Sequence, residues 1–353
     1  MSINKIKIGI SIGDINGVGP EIILKTFSDT RMLDVCTPII YGSSKVLMFY
    51  KKLLELTDFN FLQIASAADA NSKRVNLKSC WEDDLKIEPG NASVENGQFA
   101  FKALEAATID LKDGLIDALC TAPIDKHSIQ NKDFQFAGHT EYLQEKLGGT
   151  DSLMLLCSEE LKVGVVTGHI PIMEVAKKIS KELIERKITL LNASLKADFA
   201  ITRPRIAILG LNPHAGDKGV IGKEEIDIII PAIESAKNNK VLAFGPYSAD
   251  GFFGNELYKK FDGVLAMYHD QGLIPFKTIS FNSGVNFTAG LDFVRTSPDH
   301  GTAYDIAGKS EASISSFREA IYMAVAVVRN RLEYSELTER PLKITKLARD
   351  RGH

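Results

Sequence analysis

Val264-Leu265-Ala266-Met267-Tyr268-His269-Asp270 is a short apolar run closed by an imidazole and a carboxylate. The pattern recurs in Val165-Val166-Thr167-Gly168-His169 and in Leu209-Gly210-Leu211-Asn212-Pro213-His214. Apolar runs of this length, bounded by turn residues, read as buried strands. On either side of them the same reading gives strands near 6–12, 38–41, 118–121, 153–157 and 241–244, with the three quoted runs covering 163–167, 206–211 and 264–268. Helical spacing predicts helices opening after Gly42 and over 93–111, 181–193, 224–236 and 315–332. In the last, Phe317, Ile321, Ala324, Val325 and Val328 fall on one face. Strand, turn, helix, strand in this rhythm predicts an α/β protein with mostly parallel sheets in an α/β/α sandwich. The polar stretch 65–79 reads as a surface loop.

The chain has 353 residues, of which 44% are hydrophobic and 25% charged, with a net charge of -3. That length exceeds one compact core and predicts two domains, or one large domain with a smaller one. The weak negative charge argues against a nucleic-acid face or a polybasic membrane anchor, so neither nucleic acid nor membrane is an expected partner. No apolar stretch nears the ~20 residues that span a bilayer. The N-terminus runs directly into a strand pattern without a signal-peptide core, and the cytoplasm is the expected compartment. Cys36, Cys80, Cys120 and Cys157 include no C-x-x-C pair and read as reduced, mostly buried thiols.

Gly13-Asp14-Ile15-Asn16-Gly17-Val18-Gly19-Pro20-Glu21 follows the first strand. It fails the dinucleotide fingerprint, because Pro20, Glu21 and Ile22 follow Gly19, and it lacks a P-loop Gly-Lys-Ser/Thr. Two readings stand: a tight strand-to-helix turn, or a loop facing substrate or cofactor.

Side chains leaving the carboxyl ends of strands in an open α/β sheet converge on one crevice. His169, His214 and His269 meet that condition, and three neutral imidazoles there would hold a divalent metal with positions open for substrate. Each alone is more commonly a structural histidine; placement carries the joint reading. His127, His300 and His353 read as non-ligands. Asp270 is placed to orient the His269 ring or to act as a base, and Asp250 to cap a helix or to reach the metal-bound substrate. Gly138-His139-Thr140-Glu141 reads as a helix N-terminus capped by Thr140, with free N–H groups for an anion. Lys277, Asn286 and Arg295 follow the His269 loop. Either they converge on a phosphate, or the two cations are solvated surface charges.

Phe136-Ala137-Gly138-His139-Thr140-Glu141, Leu211-Asn212-Pro213-His214-Ala215-Gly216, Tyr268-His269-Asp270-Gln271-Gly272-Leu273-Ile274-Pro275-Phe276-Lys277 and Arg295-Thr296-Ser297-Pro298-Asp299-His300-Gly301-Thr302-Ala303 together resemble the 4-hydroxythreonine-4-phosphate dehydrogenase family of vitamin B6 biosynthesis. The resemblance runs from Gly13 to Lys309. It implies an isocitrate/isopropylmalate dehydrogenase-like fold, which binds nicotinamide cofactors without the glycine fingerprint. It implies two domains, 1–125 together with 275–353, and 126–274, with the active-site cleft between them. It further implies a metal on His169, His214 and His269, substrate contacts at His139, Thr140, Lys277, Asn286 and Arg295, NAD or NADP as cofactor, and a homodimer with the active site at the subunit boundary. The chain departs from the family at Asp14-Ile15-Asn16-Gly17, where Asp-Pro-Ala-Gly is usual, at Tyr247-Ser248 within Gly245–Asp250, and at Lys218, where a glycine is common.

The expected reaction is metal-assisted hydride transfer from the secondary alcohol of 4-phosphooxy-L-threonine, followed by loss of carbon dioxide from the β-keto acid. Asp250, Asp270 or a water would take the proton. Histidine ligands favour zinc or cobalt over magnesium. Dehydrogenation of 4-phosphorylated threonate or erythronate is the near alternative. A metal-dependent hydrolase or acyl transferase, and a non-catalytic phosphometabolite-binding protein, are the distant ones.

Overall fold

A computed structural model describes residues 5–82, 85–136, 138–149, 151–281 and 283–339. Ala137 of the motif beginning at Phe136, and His353, lie outside the described residues. Twelve strands form one sheet: β1 Lys7–Ser11, β2 Thr37–Gly42, β3 Phe61–Ile64, β4 Val75–Ser79, β5 Ala118–Thr121, β6 Leu153–Cys157, β7 Lys162–Thr167, β8 Arg205–Leu209, β9 Leu242–Tyr247, β10 Gly263–Tyr268, β11 Val285–Ala289 and β12 Arg295–Pro298. Their order is β3-β4-β2-β1-β5-β12-β11-β6-β7-β10-β8-β9. Eight neighbouring pairs are parallel and three, grouped around β11 and β6, are antiparallel. The fold is thus α/β with a large, mostly parallel sheet, as the strand–helix rhythm predicts.

Every residue of β2 and β5 is buried, so side chains pointing to either face are covered, as in sheets layered by helices on both sides. The helix Val94–Lys112 lies on β1, β2 and β5, and Ser315–Glu339 on β5, β11 and β12. Ser93 and Ser180 cap the helices that follow them, accepting from the N–H groups of Asn96 and Leu183.

The sheet corrects the sequence reading in two places. Residues 65–79 are not merely a surface loop: Val75–Ser79 is inserted between β2 and β3. Its buried Asn76 looks like a loop residue, but its amide donates to the carbonyls of Pro38, Asn71 and Arg74, so a polar residue sits in a strand without an unmet bond. β11 and β12 also form where no strand is expected. Arg-Thr-Ser-Pro lacks strand composition, yet all four residues of β12 are buried between β5 and β11.

The glycine turn after β1 resolves as structure. Asp14 and Asn16 are 0% and 2% exposed. Asp14 Oδ2 accepts from the Tyr304 hydroxyl at 2.8 Å, and Asn16 bonds the backbone of Glu88 and Asn91. Both side chains are committed to tying the turn to neighbouring loops. The four cysteines are free, and burial pushes the thiols of Cys36, Cys80 and Cys120 up to about 12.

Candidate active site

Arg295 opens β12 opposite Leu119 of β5, and Asn286 on β11 lies opposite Ser297 of β12. The two unexpected strands are therefore what aim these side chains. Arg295 is 4% exposed. Its Nε and Nη2 donate to Thr121 Oγ1 at 3.1 and 2.7 Å, and Nη2 donates to His139 Nδ1 at 3.4 Å. Among the described residues no carboxylate lies within ion-pairing distance of it. Burial draws its pKa down to about 10, so it remains charged at neutral pH. A buried, uncompensated cation is costly, and a bound anion would offset that cost.

His139 is the first residue of the helix His139–Leu147. The cap is Gly138, not Thr140 as the sequence suggests; Thr140 Oγ1 instead lies 3.5 Å from Thr288 Oγ1. Burial, and then the charges of Arg295 and Lys126, hold the His139 imidazole well below its ordinary value. Nδ1 accepts from Arg295, so the hydrogen-bond network assigns the proton to Nε2, which is buried and has no partner among the described residues. It is an unpartnered donor beside a cation that has no counter-ion among the described residues. Lys277 Nζ lies 3.3 Å from Asp299 Oδ1; burial raises the Asp299 carboxyl, and Lys277 opposes that shift. His139, Lys277, Asn286 and Arg295 all line one cleft of about 260 Å³.

A second space shares His139, Asn286 and Arg295 with that cleft and is bordered also by Thr140 and His169. His169 opens in turn on a third, with Tyr268, His269 and Asp270. β7, β10 and β8 are adjacent and parallel, so their carboxyl ends open on one edge of the sheet. His169 and His269 leave that edge with ring centroids 5.4 Å apart. Burial, followed by the charges of Lys126 and His269, lowers the His169 pKa and favours the neutral, ligating form. His269 Nδ1 lies 2.7 Å from Asp270 Oδ1, which leaves Nε2 for a ligand. Asp270 therefore has the geometry of an orienting residue. Asp250 is exposed and bonded to Ser248; that bond first, and His214 to a lesser degree, keeps its carboxyl below the usual range.

The third loop is more constrained than its small residues suggest. Glu225, 2% exposed, accepts through Oε1 from the N–H groups of Leu211 and Asn212, both at 2.8 Å. A side chain on Gly216 would meet Glu225 Oε2 at 2.5 Å. From His214 to Lys218 the backbone is left-handed, with φ of 54, 50, 79, 41 and 56°. Four of these residues are not glycine, and strain of this kind clusters at functional sites. Among the described residues no group of three His, Cys, Asp or Glu has the geometry to hold a metal. One copy of the chain thus pairs His169 with His269 and leaves His214 outside that pair. The pair fits a metal in its chemistry, since both rings present a free nitrogen.

The sequence matches the family model "Pyridoxal phosphate biosynthetic protein PdxA" over residues 34–324. The chain belongs to the PdxA family. It is 52% identical to the 4-hydroxythreonine-4-phosphate dehydrogenase of Bacteroides thetaiotaomicron, over 97% of this chain and 94% of that protein. A crystal structure of the Klebsiella pneumoniae 4-hydroxythreonine-4-phosphate dehydrogenase superposes with a TM-score of 0.80 at 33% identity, covering 93% of this chain and 100% of that one. A protein of Oceanobacillus iheyensis provisionally named a D-threonate 4-phosphate dehydrogenase is 37% identical over 90% of this chain and 96% of its own length.

Membership of the PdxA family makes the chain an oxidoreductase, which sets aside the hydrolase and binding-protein readings. Thr121 and Lys126, which the sequence does not offer as site residues, also line the crevice, as do Asp299 and His300 of the Arg295–Ala303 motif. His300, read as a non-ligand, borders the anion cleft without entering the imidazole pair. Thr121 ends a strand that the sequence does locate, and that position alone pointed to the crevice. Lys126, in Ile124-Asp125-Lys126, resembles any surface loop. Among the described residues no helix is long and apolar enough to cross a membrane.

Proposed function

We propose that this chain oxidises 4-phosphooxy-L-threonine with NAD or NADP to 2-amino-3-oxo-4-phosphooxybutanoate, which loses carbon dioxide to give 3-amino-2-oxopropyl phosphate on the route to pyridoxine 5'-phosphate. The observation that carries this is the buried Arg295, without a counter-ion among the described residues, beside the neutral His139 in a cleft that shares its lining with the space bordered by His169. Arg295 and Lys277 take the phosphate, Asn286 and the Nε2–H of His139 donate to its oxygens, and Thr140 borders the same anion. Fixing the phosphate there carries the secondary alcohol toward the imidazoles, and such positioning is worth several kcal/mol, up to about 7–11 in ideal cases. His169, His269 and His214 would hold a divalent metal, zinc by preference and cobalt or magnesium as substitutes; that metal would supply polarisation of the substrate hydroxyl, and NAD or NADP would supply the hydride acceptor. Asp270 keeps the His269 ring in its ligating tautomer. The reacting proton leaves through Asp250 or a water.

A homodimer in the cytoplasm is the proposed form, with the site at the subunit boundary and His214 supplied across it. Residues 1–125 with 275–353, and 126–274, are the proposed domains flanking the cleft. The name of the Oceanobacillus relative favours a second reading, oxidation of 4-phosphorylated threonate or erythronate, because the same phosphate and hydroxyl groups are used.

Replacing Arg295 by Met tests the phosphate assignment. KM for the phosphorylated substrate is expected to rise about tenfold or more, the worth of a lost charge-assisted bond, and KM for the dephosphorylated analogue to stay within about twofold. Equal changes in both would remove Arg295 from the phosphate pocket.

A further inference from the structure

Lys126 stands five residues beyond the end of β5, on a turn whose backbone is fixed although its side chain is exposed. Asp125 Oδ1 accepts from the Ser128 N–H at 2.7 Å, and the Gln130 side-chain amide donates to the Lys126 carbonyl at 3.2 Å and the Phe136 carbonyl at 2.8 Å. The helix Val94–Lys112 presses on this turn: a side chain on Gly97 would lie 1.9 Å from the Ser128 carbonyl oxygen. A turn held from both sides sets where the lysine side chain starts.

That side chain borders both the Arg295 cleft and the space that reaches His169. Yet its ammonium makes no hydrogen bond or ion pair among the described residues, whereas Lys277 is paired with Asp299. Glu141 is a carboxylate on the same space, and no ion pair joins it to Lys126. The crevice therefore has two separate cations without a counter-ion among the described residues, Arg295 buried and Lys126 exposed, and both border the space that reaches His169. A ligand with a single phosphate leaves one of them unmatched.

We propose that Lys126 receives the carboxylate of the substrate while Arg295 holds the phosphate, so that the crevice selects molecules carrying both groups. This rests on the phosphorylated hydroxy-acid reading above and adds the residue that distinguishes such acids from simple phosphate esters. The role is one of binding and positioning; the charge of the lysine, more than its length, is what the carboxylate needs.

Calorimetric titration of the full chain, with chelator present so that no metal competes for the carboxylate, tests it. The probes are 4-phosphooxy-L-threonine and the amino-alcohol phosphate that lacks only its carboxylate. The expected result for Lys126→Met is about tenfold weaker binding of the acid and no more than about twofold change for the amino-alcohol phosphate, with Lys126→Arg retaining most of the preference. Equal weakening of both ligands would place Lys126 in the phosphate pocket and overturn the proposal. Unchanged binding of both would make it a solvated surface lysine and overturn it equally. Failure of the unmodified protein to bind either probe would overturn the phosphate reading of the crevice itself, a result distinct from failure of the Lys126 assignment alone.

Discussion

His139 and Arg295 constrain each other. The guanidinium donates to the imidazole Nδ1, and burial together with that charge keeps the ring neutral. The consequence for stability has a definite sign. An unfolded chain protonates histidine near the ordinary value of about 6.5, whereas the folded protein resists protonation of His139 to a lower pH. Below that value the unfolded state binds more protons, so stability is fully present above about pH 6.5 and is lost as pH falls toward the depressed folded value. His139→Gln is expected to flatten this slope, measured as the shift of the urea midpoint between about pH 7.5 and pH 5.5. An unchanged slope would show that the ring is not held neutral by its surroundings. The same neutrality is what lets Nε2–H donate to an anion without adding a charge of its own.

At the scale of elements, the loop after β8 departs most from ordinary backbone. Lys218 sits at φ 56° in the left-handed run, a conformation that costs a residue with a Cβ about 1–2 kcal/mol. Lys218→Gly is expected to raise stability by about 1 kcal/mol, after allowing for the extra freedom of glycine in the unfolded chain. A thermal or denaturant melt measures it, and a loss of stability would mean that the lysine side chain holds the loop. The sequence shows a non-glycine residue at this point but not the left-handed turn that strains it, because that turn depends on Glu225, which reaches the Leu211 and Asn212 amides from the segment that follows. Strands with apolar runs, such as β6, β7 and β10, were legible because burial on both faces leaves a continuous hydrophobic signature. β4, β11 and β12 were not, since their buried Asn76, Thr288 and Arg295 find partners only in the folded sheet. For the same reason the anion-binding residues were legible as residue types in a motif, and their convergence was not.

For the whole molecule, the sheet order places β7, β10 and β8 side by side and gathers their loops on one edge. That arrangement pairs His169 with His269, and the proposed third ligand comes from a second copy. Mixing His169→Ala with His214→Ala protein tests this sharing. If each site takes the pair from one copy and His214 from the other, the equimolar mixture regains about a quarter of wild-type turnover, since about half of the dimers are heterodimers and each has one intact site of two. No recovery after complete subunit exchange would place all three ligands within one chain.

The proposed dehydrogenase activity is measured most directly as nicotinamide reduction by the purified protein supplied with zinc, NAD or NADP and a small panel of four-carbon phosphorylated acids. The expected result is an absorbance rise that requires both the phosphate on the substrate and the divalent metal, greatest with 4-phosphooxy-L-threonine. No rise with any member of the panel, or a rise undiminished by chelation of the metal, would contradict it.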